Sequence, residues 1–317
     1  MPVLNMYHPR YATETMRKVY LIVVLALTGG LAGLVLWYQH VGAPNQTVAT
    51  LIPGSTVRRE QTVTFAVVGD NEGDNPDYRD LIKQIAADRN VQFLLHVGDT
   101  TNRGGATELA ALQALHTELG LTIPVYAVPG NHDIKDDSNR KAFQATFGAL
   151  PRSIDIQNLH LVLLDNADRK IGFPADELAW LERDLADWQT RRLADSLTIL
   201  AYHRPFAYPL ADFFGDDETR ASRGTNERFL AILAKFPVQH IFTGHIHTAM
   251  DFTMVTQTDA TNRATQTVPV TISGGGGQPI QSAFGGLVKE NFHWLKVTVM
   301  GTEISAEIKQ SRVNLPR

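Results

Sequence analysis

Short polar clusters that carry metal-binding side chains recur along this chain. Between residues 69 and 247 each of five such clusters follows an apolar run: Gly69-Asp70-Asn71-Glu72, Gly98-Asp99-Thr100-Thr101-Asn102, Gly130-Asn131-His132-Asp133, Tyr202-His203-Arg204-Pro205 and Gly244-His245-Ile246-His247. Together they supply carboxylates, an amide and imidazoles, the ligands that borderline divalent metals prefer. One cluster alone is typical of a turn or a helix cap. Five of them in succession predict a site for two metal ions.

The chemistry expected of such a site is metal-assisted hydrolysis. Two cations about 3.5–4 Å apart lower the pKa of a bridging water and hold the attacking and leaving oxygens of an in-line displacement. A mixed shell of carboxylate, amide and imidazole suits Mn, Fe or Zn better than Ca. Cysteine is absent, which excludes thiolate metal sites, disulfides and cysteine nucleophiles.

The elements that must position these clusters alternate between strand and helix. Apolar runs predict strands over residues 62–69, 91–98, 124–128, 159–164, 197–202 and 238–243, and amphipathic patterns predict helices over 78–88, 106–119, 176–188 and 226–235. The helical pattern then stops, and antiparallel strands are predicted over 249–256, 268–273, 293–300 and 302–309. This order favours an α/β fold with two packed sheets. Because ligands bind beyond the carboxyl ends of such strands, we expect the clusters to meet at one rim.

Composition is that of a globular protein with a good core. The chain has 317 residues, 44% apolar and 20% charged, with a formal net charge of −4. It has no long basic run, so we expect no nucleic-acid partner. We assign residues 61–317 to one domain and leave the oligomeric state open.

The N-terminal region predicts a membrane anchor. Residues 19–38 carry no charge. The length of this stretch, about 20 residues, is the length that a helix needs to span a bilayer. Arg10, Arg17 and Lys18 precede this stretch, and no Lys or Arg follows it until Arg58. We therefore predict a cytoplasmic segment over 1–18, a signal anchor over 19–38 and a linker over 39–60. Because the basic residues lie before the anchor, the catalytic domain is expected to be periplasmic or extracellular. A cleaved signal peptide is the alternative, and it would also export the domain.

The ordered motifs resemble those of the calcineurin-like metallophosphoesterases, a superfamily that includes purple acid phosphatases and many phosphodiesterases. The resemblance spans roughly residues 62–309, and Gly130-Asn131-His132-Asp133 and Gly244-His245-Ile246-His247 are its most specific parts. It implies a double β-sandwich flanked by helices in four layers.

The resemblance also implies roles for the cluster residues. Asp99 would bridge two metals and a bridging hydroxide would be the nucleophile. His132 would face the leaving group as proton donor or transition-state stabiliser. Asp70 and His247 would complete the ligand set of one metal. The ligands of the other metal would be Asn131, His203 and His245.

One position departs from the family pattern. The first motif of the family usually reads Asp-x-His, and Glu72 stands at the place of the histidine. A carboxylate ligand there would favour Mn²⁺ or Mg²⁺. Alternatively, Glu72 lies outside the shell and Asn102 approaches the first metal. We leave both open.

We therefore expect a membrane-anchored, dinuclear metal-dependent hydrolase of phosphate mono- or diesters. The short linker would keep the site near the bilayer, so a phospholipid or lipid-linked pyrophosphate hydrolase is an alternative. A catalytically weak metal-binding scaffold is a third possibility, suggested by Glu72.

Overall fold

A computed structural model describes residues 62–208, 219–258, 264–279 and 292–313. The predicted cytoplasmic segment, the predicted membrane span over 19–38 and the predicted linker over 39–60 all lie outside these residues. Within them, no helix combines the length and the apolar character needed to cross a bilayer.

Strands and helices alternate through most of the described chain. The strands are β1 (Thr62–Val68), β2 (Leu94–His96), β3 (Val125–Ala127), β4 (Arg152–Ile156), β5 (Leu159–Leu163), β6 (Leu197–Ala201), β7 (His240–Thr243), β8 (Ala249–Thr258), β9 (Ala264–Ser273), β10 (His293–Met300) and β11 (Glu303–Gln310). The helices are α1 (Pro76–Ala87), α2 (Ala106–Glu118), α3 (Asp137–Phe147), α4 (Ala175–Arg191) and α5 (Arg220–Leu233).

These strands form two mixed sheets. The first has the order β11-β10-β1-β2-β3, and the second has the order β4-β5-β6-β7-β9-β8. β1, β2 and β3 are parallel, as are β5, β6, β7 and β9. The β8–β9 and β10–β11 pairs are antiparallel, and β10 also runs antiparallel to β1. The predicted two-sheet α/β fold is therefore present.

Alternating side chains of β1 explain the layering. Val63, Phe65 and Val67 point into the apolar core that the two sheets share. Ala66 and Val68 point the other way, into a second core formed with the first three helices. On the far side, the second sheet packs in the same manner against α4 and α5. Because both faces of the central strands are buried, their sequences read as nearly continuous apolar runs.

Two elements were not predicted from the sequence. Helix α3 buries only Phe143 and Phe147, and edge strand β4 is half-buried at four of its five positions. Their apolar patterns are too sparse to distinguish from loop sequence.

Candidate metal centre

The loops that follow the parallel strands lie side by side. The backbone N–H groups of Asp70 and Glu72 donate to the carbonyls of Gly98 and Asp99, each at 2.9 Å. His203, which follows β6 in the second sheet, donates its Nδ1–H to the carbonyl of Val97 at 2.9 Å. These hydrogen bonds join the carboxyl ends of both sheets into a single rim, where the five clusters meet.

Asp99 lies at the centre of this rim. Its carboxylate is within 4.8 Å of ligand atoms of both His203 and His245, and these atoms are equally close to each other. The Asp99 carboxylate also forms a second group with Glu72 and His132, whose ligand atoms likewise lie within 4.8 Å of one another. One carboxylate is thus shared by two candidate cation sites.

The other predicted residues surround these two groups. Asp70 is fully buried, and His247 Nε2 lies 3.8 Å from its Oδ1 and 4.0 Å from Glu72 Oε1. The backbone N–H of His245 donates to both Asp70 oxygens, at 2.9 and 3.0 Å. Asn131 directly precedes His132, and its Oδ1 accepts a hydrogen bond from Arg204 Nη1 at 3.0 Å.

The His132 ring lies between two loops. Its Nδ1 is 2.9 Å from the backbone carbonyl of Asn102 and 3.5 Å from Glu72 Oε2. Because a carbonyl only accepts, Nδ1 carries the proton in that contact. The side chain is one-third exposed, so it can reach a bound molecule.

Backbone strain is concentrated at the same place. Asp70, Glu72, Asp99 and His245 have φ values of 63°, 47°, 52° and 71°, in the left-handed region that residues other than glycine seldom occupy. Strain of this kind costs on the order of 1–3 kcal/mol per residue and is typical of functional sites.

Two glycines allow the loops to approach. A Cβ atom at Gly130 would lie 2.0 Å from Asp99 Oδ1, and one at Gly98 would lie 2.4 Å from His203 Nδ1. Gly98 also has a φ of 99°. Gly98 is therefore required by close contact and by its backbone conformation, and Gly130 by close contact.

Asp133 holds the loops after β2 and β3 together. This buried carboxylate accepts hydrogen bonds from the backbone and hydroxyl groups of Thr100 and Thr101 and from the Gly130 N–H, at 2.7–3.1 Å. Asp133 thus supports the turn, as its place in the Asn-His-Asp sequence indicates, and positions its neighbours.

The charges in the buried site are strongly coupled. Burial disfavours a charged His203, but the adjacent Asp99 carboxylate outweighs burial and raises the pKa of His203 to about 9. Burial likewise opposes ionisation of Asp99, yet His203 and the hydrogen bond from His132 hold the pKa of Asp99 below its usual value. Burial raises the pKa of Asp70 well above the ordinary range.

These residues fit a cation. His203 Nε2 is buried 3.3 Å from Asp99 Oδ2 and makes no well-formed hydrogen bond within the described residues. A divalent ion would be coordinated by that nitrogen in place of a proton. It would also favour the charged forms of Asp70 and Asp99. The donor set of carboxylate, imidazole and amide suits Mn, Fe or Zn.

Supporting residues in the site were not found from the sequence. Asn166 follows β5, and its Oδ1 accepts hydrogen bonds from the backbone N–H groups of His203 and Arg204. Asn71 bridges loops in the same way, since its side chain contacts buried His96 and the carbonyl of Thr100. The only signal for Asn166 is that Asp165-Asn166 is a further polar pair at a strand end.

Comparison with known proteins places this site in a family context. A family model described as calcineurin-like phosphoesterase matches residues 63–249. A probable cyclic nucleotide phosphodiesterase of Vesicomyosocius okutanii is 29% identical over 170 residues, which cover 51% of this chain. The match spans 65% of that relative's length.

Solved structures show the same fold. A purple acid phosphatase from yellow lupin seeds aligns with a TM-score of 0.61 and 17% identity, over 81% of this chain and 53% of its own. GAP50 of Plasmodium aligns with a TM-score of 0.56 and 15% identity, over 80% and 86% of the two chains.

Proposed function

Because the chain belongs to the calcineurin-like phosphoesterase family, we propose that it is a phosphoester hydrolase that cleaves phosphate mono- or diesters at a site for two metal ions. The observation that carries this proposal is the position of Asp99, whose carboxylate lies within 4.8 Å of ligand atoms of His203 and His245 and also of a carboxylate oxygen of Glu72. Asp70, Glu72 and His247 would complete one shell with it, and Asn131, His203 and His245 the other. Bound divalent ions would supply the Lewis acidity that activates water and neutralises the phosphoryl oxygens.

His132 is the proposed general acid. Its Nδ1–H is held by the Asn102 carbonyl, so Nε2 is the nitrogen left to carry a transferable proton. As water oxygen bonds to phosphorus and the ester P–O bond breaks, that proton passes to the departing alkoxide, which leaves as an alcohol. The attacking water releases one proton to solvent, and the ring regains a proton from solvent. The phosphate or monoester product keeps the negative charge.

Arg204 is the proposed contact for a phosphoryl oxygen. Its guanidinium donates a hydrogen bond to Asn131 Oδ1, so it lies beside the proposed metal ligands Asn131 and His203. A planar guanidinium matches the geometry of phosphate oxygens and would stabilise their charge during the displacement.

The decisive assay uses the metal-reconstituted full chain. It compares an aryl monoester, a bis-aryl diester and a lipid phosphate after loading with Mn²⁺, Fe²⁺ or Zn²⁺. We expect turnover of at least one aryl ester, and a fall of about 100-fold or more in Asn131→Ala. The matched control is Asn90→Ala, at an exposed position outside the site, which should keep full activity. Bound metal with no turnover of any ester would favour the scaffold alternative.

We further propose that the domain works outside the cytoplasm, anchored by residues 19–38. The support is the uncharged stretch itself and the basic residues that precede it. Protease added to intact cells, with the outer membrane permeabilised where the cells have one, should digest the domain. Protection of the domain, under conditions that digest a known exposed protein, would contradict this orientation.

A further inference from the structure

The side chain of Asn166 holds two residues of the proposed site by their backbone. Asn166 follows β5 in the second sheet and is only 3% exposed. Its Oδ1 accepts the N–H groups of His203 and Arg204 at 3.1 and 3.0 Å, and its Nδ2–H donates to the Arg204 carbonyl at 2.8 Å. One buried amide therefore fixes the N–H of His203 and both backbone polar groups of Arg204.

We infer that Asn166 is a positioning residue for the proposed reaction, which aims His203 at a metal ion and Arg204 at the phosphoryl group. The inference rests on the proposed function, because it depends on the roles assigned to those two residues. It adds a residue that belongs to none of the five clusters and sets the geometry of two groups that do.

The sheet does not hold this segment by itself. The ladder between β5 and β6 ends where Leu163 pairs with Ala201. Beyond that point the chain bends towards the rim, and the N–H groups of His203 and Arg204 lie outside the ladder. Buried N–H groups are costly to leave unpaired, so they need another acceptor. The Asn166 amide supplies that acceptor to both.

The direction of both functional side chains depends on this segment. The Nδ1–H of His203 donates to the carbonyl of Val97, and Nε2 then lies 3.3 Å from Asp99 Oδ2. A shift of the His203 backbone would tilt Nε2 away from the proposed metal. Arg204 donates to Asn131 Oδ1, so a shift of its backbone would move the guanidinium away from that side of the site.

The loop that carries Asn166 is held from two sides. The N–H of Asp165 donates to Oε1 of buried Glu177 at 2.8 Å, and Asp165 Oδ1 accepts the N–H of Ala167 at 3.1 Å. The other Asp165 oxygen forms an ion pair with Arg140 of helix α3. An amide on such a fixed loop can hold its partners in one geometry, as supporting residues around metal ligands do.

The test removes the Asn166 amide and compares the result with a second buried asparagine. Asn158 precedes β5 at its opposite end, is 5% exposed, and donates to the carbonyls of Asp195 and Gly301 at 2.9 and 3.0 Å. Asn166→Ala and Asn158→Ala should both lower the urea midpoint of unfolding. Only Asn166→Ala should weaken the binding of one of two Mn²⁺ ions, by about 10–100-fold in calorimetry, and raise KM for the aryl ester.

A double-mutant cycle tests the path through Arg204. In an Arg204→Ala background, Asn166→Ala should raise KM by a much smaller factor than in the natural chain, because the group that it positions is already gone. The affinity for Mn²⁺ should still fall in that background, because His203 remains. Effects on KM that simply multiply would overturn the assignment of Asn166 to Arg204.

A variant of the supporting ion pair carries the test if Asn166→Ala does not fold. Arg140→Met should weaken the binding of one Mn²⁺ ion by about three- to tenfold, less than the loss of a residue in direct contact with a ligand. The loss of a cation would by itself strengthen metal binding, so a weaker site can arise only through a shift of the loop. Arg191→Met is the matched control, since Arg191 is also ion-paired and its side chain is 42% exposed, against 31% for Arg140. Unchanged Mn²⁺ affinity in Arg140→Met, or an equal fall in Arg191→Met, would overturn the inference.

The outcomes separate this inference from the function that it rests on. Equal Mn²⁺ affinity in folded Asn166→Ala and Asn158→Ala would overturn the inference and leave the hydrolase intact. Failure of the natural chain to hydrolyse any ester would overturn the proposed function. In that case the Mn²⁺ affinities would still decide whether Asn166 positions His203.

Discussion

The backbone N–H of His132 donates to Asp99 Oδ1 at 2.7 Å. The residue proposed to protonate the leaving group is thereby tied to the carboxylate proposed to bridge the metals. A fixed distance between the two would let a phosphoryl group at the proposed metal site present its leaving oxygen to His132 without a loop movement. This coupling explains why the loops after β2 and β3 are held so closely.

Removal of the acid should matter most for poor leaving groups. His132→Ala is expected to lower kcat by about 10²–10⁴-fold for alkyl esters, because their alkoxides need a proton as they depart. The loss should be much smaller for p-nitrophenyl esters, whose phenolate is stable unprotonated. The measurement is kcat for both ester classes at constant metal content. An equal loss for both classes would argue against proton transfer by His132.

We expect Asp133 to contribute to the stability of the fold. Asp133→Asn replaces one of its two acceptor oxygens by a donor that faces N–H groups, so buried hydrogen bonds are lost. We expect the free energy of unfolding in urea to fall by about 2–4 kcal/mol. Asp137→Asn is the control, since Asp137 is exposed in the first turn of α3 and its loss should cost only about 0.3–1 kcal/mol. A similar small effect for both variants would show that Asp133 does not hold the loops.

Glu72 should influence which metal binds. Glu72→His restores the Asp-x-His pattern of the family and exchanges a hard oxygen ligand for an imidazole. We expect the variant to shift its preference from Mn²⁺ towards Zn²⁺, as measured by competitive metal binding and by activity with each ion. Glu72→Gln, which keeps the shape and removes the charge, should weaken binding without that shift. If neither variant altered affinity or preference, Glu72 would not be a ligand.

Low pH should destabilise the metal-free protein through protonation of the buried His116. Burial lowers the pKa of His116 to about 4, while its ring is hydrogen-bonded to Tyr78 at 2.8 Å. The ring binds a proton more readily in the unfolded chain, so its contribution to stability is present above about pH 6.5 and is lost as the pH falls towards 4. The full effect is about 3 kcal/mol. In His116→Gln, the free energy of unfolding should fall less steeply over this range, and an unchanged slope would contradict the assignment.

The strands that carry the proposed ligands were predictable from the sequence. β1 is buried on both faces, so its apolar run is continuous and Asp70 follows it after a single glycine. A buried strand and a glycine also precede Asp99, and a buried apolar run leads directly into His203. By contrast, the first turns of α3 are polar, and only tertiary packing of Phe143 and Phe147 makes that segment a helix.

The site was predictable in its residue types but not in its internal contacts. Motif order indicated that Asp99 and His132 belong to one site. Asn102 was singled out for its side chain, whereas its contact with His132 is made by its backbone carbonyl, and Asn166, which no motif singled out, holds the backbone of His203. Such contacts depend on how the two sheets pack, which no local pattern specifies.

Metal content measured together with hydrolysis tests the central claim most directly. The full chain reconstituted with Mn²⁺ should hold two ions, with spectroscopic evidence of magnetic coupling through a shared ligand, and should hydrolyse an aryl phosphoester. Asp99→Asn should lose both the coupling and the activity, because both proposed shells share that carboxylate. Full activity with one ion per chain, or an Asp99→Asn variant that keeps two coupled ions and normal turnover, would contradict the account.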